Sequence, residues 1–305
     1  MTRTGLLLSA FLALATPAVA QGTATFEQAL ALYDDQNYAE ARSLAEDFAA
    51  KGDARAMALL GTMFQKGQGV EINWKAARKW FQQAFDAGHK ESAFSLAMLL
   101  LDDRAGEPDV DSAKELLEGV AQAGNARASY NLGLIAAGAF GSEPDWPQAA
   151  AQFTSAANAG IVEAQYNLGL LYLEGRGVAK DSIIAAEWLS KAAVRGLPDA
   201  ALEYGVLVFR GDGVERDEAI GVRWLRFAAE HGNPVAQNRL ARIYASGMGA
   251  PADLVEAAMW NILATQAGRP DAELDPVMNG LTPEQRQEAE TRAGAFVPKE
   301  TPPFE

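Results

Sequence analysis

Ala164-Gln165-Tyr166-Asn167-Leu168-Gly169-Leu170-Leu171-Tyr172-Leu173 reads as an apolar-rich helix, and Gly175-Arg176-Gly177-Val178 stops it. Glycine ends helices because it takes left-handed backbone angles at little cost. Asp181 then opens a second helix, which runs through Ala185, Trp188, Ala192 and Ala193 to Gly196. Asp suits that start because its side-chain oxygen accepts a free N–H of the first turn. The stretch is therefore one helix-turn-helix unit.

The unit recurs. Gly52, Gly88, Gly124, Gly160, Gly196, Gly232 and Gly268 stand 36 residues apart, although only 28 of the 305 residues are Gly. A fixed period of this size marks a solenoid built from one supersecondary element. Asn73, Asp109, Asp145, Asp181, Asp217 and Asp253 keep the same register at the second-helix start. Start and stop signals thus recur together. Trp80, Trp188, Trp224 and Trp260 share another position, with Leu116 and Gln152 in the remaining copies. Gly61, Gly133, Gly169 and Gly205 share a further one, with Ala97 and Ala241 replacing glycine. The expected packing sets tryptophan across the helix pair, over a small residue that lets the helices approach. The fold class expected is all-α: an α-solenoid of 36-residue helix-turn-helix repeats.

Six copies are expected over residues 55–268, preceded over 21–54 by a shortened capping copy. Within that cap, Tyr33-Asp34-Asp35-Gln36-Asn37-Tyr38-Ala39-Glu40-Ala41 resembles a tetratricopeptide turn. After Gly268 the period is lost. Thr282-Pro283-Glu284-Gln285 is a strong helix start, so a capping helix is expected within 269–297, running to about Phe296. Three prolines in 298–305 predict a flexible tail.

The pattern Ala164-x-Tyr166-Asn167-Leu168-Gly169-x-x-Tyr172-x-x-Gly175-x-Gly177-Val178-x-x-Asp181, then Ala185, Trp188, Ala192-Ala193 and Gly196, resembles the SEL-one-like repeat, a relative of the tetratricopeptide repeat. The resemblance covers roughly residues 55–268. The copies beginning at Glu91 and Arg127 depart from it in the turn, where Asp103-Arg104-Ala105 and Ala139-Phe140-Gly141 replace Gly-x-Gly. It implies a right-handed superhelix whose concave side is lined by first helices. It also implies an adaptor or scaffold, with no catalytic residue to carry across. Exported bacterial members of the family include regulators of membrane kinases and proteins that contact host proteins. A cysteine-rich branch is linked to penicillin binding with weak lactamase activity, but this chain has no cysteine.

The chain start bears on location. Arg3, an apolar run from Gly5 to Ala15, the break at Thr16-Pro17 and the small residues Ala18-Val19-Ala20 read as a signal peptide over residues 1–20. The run is too short for a membrane anchor, which needs about 20 apolar residues. Without cysteine there is neither an acylation site nor a disulfide. The formal charge of −14, one unit more negative without Arg3, repels nucleic acid and anionic lipid. Export to a bacterial periplasm is the expectation, with full secretion as the alternative.

Catalytic signatures are missing. The two histidines, His89 and His231, each sit beside a helix-ending glycine, where a cation suits the negative helix end. There is no zinc-like spacing, P-loop or Gly-x-Ser-x-Gly elbow. Acidic pairs such as Asp34-Asp35 and Asp102-Asp103 read as solvated turns and helix ends, since adjacent helical residues do not share a face. No cofactor or metal is expected.

One stripe of each first helix is not needed for packing: positions 163, 167, 170 and 174 and their equivalents. It supplies Ser95, Met98, Asn131, Leu134, Asn167, Leu170, Glu203, Val206, Arg239 and Arg242. Met98, Leu134, Leu170 and Val206 would form an apolar floor with polar flanks, a mixture suited to a peptide or a helix of another protein. The alternative is that some of these side chains contact the next repeat. The expected function is a non-enzymatic interaction module, with a β-lactamase-like hydrolase as a minor alternative.

Overall fold

The computed structural model describes residues 25–300. The expected signal peptide and residues 301–305 of the expected tail lie outside the described residues. Sixteen α-helices, two 3-10 turns and no strand are found among those described.

The chain forms two compact units, one up to Pro108 and one from Asp109. The first holds α1 (Phe26–Asp34), α2 (Tyr38–Ala50), α3 (Ala54–Lys66), α4 (Trp74–Asp86), α5 (Ser92–Leu100) and a 3-10 turn, Asp103–Ala105. The second begins with α6 (Val110–Gln122), α7 (Ala126–Ala136), α8 (Trp146–Asn158), α9 (Val162–Glu174) and α10 (Ser182–Val194). It continues with α11 (Pro198–Arg210), α12 (Glu218–Glu230), α13 (Pro234–Ser246) and α14 (Leu254–Gln266). It closes with a 3-10 turn (Ala272–Leu274), α15 (Asp275–Gly280) and α16 (Pro283–Gly294). Within each unit, successive helices pack on one another, and α16 returns to α14. The chain is thus a run of consecutive helical repeats, the all-α solenoid class its period predicts.

The repeated signals act as their chemistry demands. Asn73, Asp109, Asp145, Asp181, Asp217 and Asp253 all accept backbone N–H groups of the helices they open. The glycine series occupies the position just past each second helix, with φ of +98° at Gly88 and +91° at Gly196. At the first of these, the Gly88 amide donates to the Phe85 carbonyl at 3.0 Å and the His89 amide to Ala84 at 2.9 Å. Carbonyls that a helix end would otherwise leave bare are thereby bonded.

Packing across each helix pair corrects the expectation for tryptophan. Trp80, Trp188 and Trp224 are only half-buried, and Trp260 alone is fully inside. The next residue fills the core: Phe81, Leu117, Phe153, Leu189 and Leu225 are all buried. A Cβ on Gly61 would meet the Phe81 ring at 3.0 Å, and one on Gly133 the Phe153 ring at 2.6 Å. On Gly169 it would meet Leu189 at 2.7 Å. The tryptophans lie at the edge of the pair; Lys191 stacks on Trp188 at 3.9 Å, and Tyr204 meets Trp224 edge-on at 5.7 Å.

Gly-x-Gly does two separate jobs. Its first glycine is the left-handed C-cap of the first helix at Gly67, Gly175, Gly211 and Gly247. Its second sits against the start of the preceding repeat's second helix. A Cβ on Gly177 would overlap the Trp146 carbonyl, and one on Gly213 the Ser182 carbonyl. The residue between completes the contact: Arg176 stacks on Trp146 at 4.9 Å, and Gln68 Nε2 donates to the Tyr38 hydroxyl at 3.1 Å.

The far end also differs from expectation. The Thr282 hydroxyl accepts from the Gln285 amide and the Gln285 side chain from the Thr282 amide, so α16 opens where the sequence signals it. Pro298 and Lys299, expected in a flexible tail, instead lie on the end of α12. The Lys299 amide donates to the Glu230 carbonyl at 2.8 Å, its ammonium meets the Glu230 carboxylate at 2.5 Å, and Pro298 covers Gly232. A cation bound where carbonyls point outward is favourable.

Candidate functional site

The first-helix stripe is neither fully core nor fully free. Ser95 and Met98 are half-buried on α5, in the first unit. Asn131, Leu134, Asn167, Leu170, Glu203, Val206 and Arg239 are half-buried on α7, α9, α11 and α13, in the second, while Arg242 is exposed. Leu134 and Val206 pack partly onto the core clusters beneath them. They give the stripe its apolar base but also contribute to repeat packing. Asn131 Nδ2 donates to the Arg127 carbonyl of its own helix at 2.8 Å.

Glu203 and Arg239 are brought together on α11 and α13. Each feels the other's charge, yet no direct ion pair joins them. Burial pushes the Glu203 carboxyl above its usual range; Arg239 opposes that shift, and Asp199 and Glu174 add to it. Burial also pulls the Arg239 guanidinium below its usual range, against Glu203, with Arg210 and Arg242 adding to the depression. The buried Arg239 Nε has no hydrogen-bond partner among the described residues. A partly desolvated charge of each sign, with bonding capacity unused, can answer a partner's opposite groups.

Arg242 does not join them as a free cation. Its Nε donates to Asp271 at 2.6 Å and a second guanidinium nitrogen pairs with Glu273 at 2.7 Å. Asn238 also donates to Asp271, at 2.8 Å. The Arg242 hydrogen bonds hold the Asp271 carboxyl below the usual range. This residue anchors the segment after α14.

Tyr166 is a site residue that the stripe omits. Burial, then Asp199, Glu203 and Glu174, push its hydroxyl up to about 12. Tyr130, one repeat earlier, lies beside Glu163 and Asn167, and burial raises it too. The available signal was a pair of tyrosines in register, each one residue ahead of the stripe. Their rings pack inward while their hydroxyls reach the polar face.

His231 and Asp102 make short-range contacts. His231 Nδ1 donates to the Phe227 carbonyl at 2.7 Å, and Asp102 accepts from the Arg104 amide and pairs with its guanidinium at 2.6 Å. No cluster of metal-ligating side chains occurs among the described residues, and none of their helices is long and apolar enough to cross a membrane.

Comparison with known proteins places this architecture. The Sel1 repeat family matches residues 54–89, 162–196, 198–233 and 234–268. These are the copies with an intact Gly-x-Gly; the two drifted copies fall between them. The chain carries four Sel1 repeats. It resembles the crystal structure of a protective antigen of uropathogenic Escherichia coli strains that displays the SLR fold. The TM-score is 0.77 at 28% identity, covering 91% of this chain and 61% of that one. This chain therefore spans less than two thirds of that relative. It also resembles a Sel1 repeat protein from Oxalobacter formigenes, with a TM-score of 0.65 at 29% identity, covering 80% of this chain and all of that one. No curated protein matches significantly. Sel1 repeats commonly mediate protein–protein interaction and generally serve as non-catalytic scaffolds.

Proposed function

We propose that this protein is an exported, non-enzymatic interaction module, periplasmic and regulatory or scaffolding, which binds a polypeptide segment against the first-helix face of α9, α11 and α13. The observation that carries this reading is the half-buried Glu203 and Arg239, of opposite charge and without a direct bond, beside half-buried Leu170 and Val206. Apolar contact would supply affinity, and the two charges would set register and orientation. The chain start, which reads as a cleaved leader, supports export.

A second reading, full secretion with contact to proteins of another cell, draws support from the likeness to a protective antigen. Cell fractionation separates the two: periplasmic retention supports the first, and accumulation in culture medium the second.

The groove is tested by affinity capture from envelope extracts with the mature protein and with the double reversal Glu203→Arg, Arg239→Glu. The variant is expected to keep its helical circular dichroism and lose the captured polypeptide. Capture of the same polypeptide at equal yield would refute the assignment of this face.

A further inference from the structure

The chain already lays one of its own segments against a first helix. Just past the last repeat, the Asp271 carboxylate accepts two hydrogen bonds from the Arg242 guanidinium, at 2.6 and 3.0 Å, and one from Asn238 at 2.8 Å. Glu273 pairs with the same guanidinium at 2.7 Å, and Leu274 is buried in the core cluster of α13 and α14. Asn238 and Arg242 stand four residues apart on α13 and so share a face. An Asp-x-Glu-Leu segment thus fits this face: the forked guanidinium takes the carboxylates and the apolar side chain goes inward.

Two further guanidinia of the stripe are unanswered. Arg239 is half-buried on α13, and Arg210 is exposed at the end of α11, in the position equivalent to Glu174. Neither makes an ion pair or hydrogen bond among the described residues. The Arg239 Nε is enclosed, but its two terminal nitrogens are not. Arg210 and Arg242 both repel the Arg239 charge. On the α11 stripe, Asp199 is held by Asn233 Nδ2 at 2.7 Å, which leaves Glu203 as one carboxylate against two cations. This part of the face is short of negative charge, on a chain whose formal charge is −14.

We propose that the polypeptide segment bound on the first-helix face is acidic, and that one of its carboxylates bridges Arg239 and Arg210, beside the place where the chain's own Asp271 and Glu273 hold Arg242. A carboxylate there relieves the repulsion between the guanidinia and bonds nitrogens that no side chain of this protein reaches. The proposal rests on that face being the binding face and adds the charge of its partner.

The test uses the full chain and three fluorescein-labelled octapeptides, each a doubled tetrad: Asp-Ala-Glu-Leu, its amide counterpart Asn-Ala-Gln-Leu, and the basic Lys-Ala-Lys-Leu. Fluorescence anisotropy is expected to show saturable binding of the acidic peptide, with the amide peptide about tenfold weaker for want of charge-assisted hydrogen bonds. Arg239→Gln is expected to weaken the acidic peptide about tenfold and Arg210→Gln about threefold, while Arg223→Gln, exposed on α12, leaves it unchanged. No saturable binding of the acidic peptide at millimolar concentration, equal affinity for the acidic and amide peptides, or tighter binding of the basic one would each overturn the proposal. So would undiminished binding by Arg239→Gln and Arg210→Gln. Should Arg239→Gln fail to fold, Arg210→Gln and the acid–amide ratio on the unaltered chain decide. If the acidic peptide fails while the double reversal at 203 and 239 still abolishes envelope capture, the face stands and only the partner's charge is wrong.

Discussion

The copies at α7–α8 and α9–α10 lie side by side in the second unit and solve the same problem differently. In the later copy α9 runs thirteen residues to a left-handed Gly175, and Gly177 then seats on the Trp146 carbonyl. In the earlier one α7 stops after eleven residues, its C-cap is Ala137, and Gly138 and Gly141 carry the positive φ. A Cβ on Gly141 would meet nothing within 4 Å. Yet both return the chain to the same register. The Asp181 amide donates to the Tyr172 carbonyl at 2.9 Å, and the Asp145 amide to Ala136, exactly one repeat earlier in position, at 2.7 Å. The same bond recurs from Asn73 to Phe64, Asp217 to Val208 and Asp253 to Tyr244. Repeat length is thus held by the amide of the second-helix N-cap bonding back to the first helix. The Gly-x-Gly turn governs how closely a repeat seats on its neighbour.

That division of labour predicts a large asymmetry between two glycine substitutions. Gly177→Ala adds left-handed strain to an overlap with backbone that cannot yield cheaply, and is expected to cost about 3 kcal/mol or more. Gly141→Ala meets open space and should cost about 1 kcal/mol from backbone strain alone. Urea denaturation of the mature protein reads both, and equal losses would break the comparison.

The N-caps should show no such asymmetry. Asp181→Ala and Asp145→Ala each remove a side-chain acceptor but leave the backbone bridge, so each should cost about 1 kcal/mol. A much larger loss at Asp145 would mean that its side chain, rather than the bridge, holds the drifted turn.

The smallest effect concerns the stripe, which reads Asn131, Asn167 and then Glu203 in successive copies. Glu203→Gln makes the third like the first two. Because burial raises the Glu203 pKa in the folded state, its charged form opposes folding at neutral pH. The variant should be slightly more stable than the parent at pH 7. That difference should fade as pH falls through the raised folded value toward the ordinary 4.5, where both side chains are neutral. Thermal melts across that range check the sign; a variant less stable at pH 7 would show that attraction to Arg239 outweighs desolvation.

Legibility in the sequence followed how local each signal was. Caps and helix-ending glycines act on neighbouring atoms, so Asp181 and Gly196 could be read directly. The core position was read one residue early. Tryptophan is the most conspicuous apolar residue of its helix, but the geometry across the pair points Phe81 and Leu189 at the facing glycines instead. Arg242 looked like a free groove cation because its partners, Asp271 and Glu273, follow the end of the period. Tyr166 was hidden because a tyrosine ring and its hydroxyl can serve two environments at once.

A 36-residue register of caps and stops determined the fold class, the helix starts and the family likeness, because each of those signals is satisfied within a turn or two of chain. Which side chain enters each core, why the second turn glycine is required, and which charges remain unpaired on the first-helix face were decided by the tertiary structure. Those properties depend on distances between helices that no linear spacing encodes.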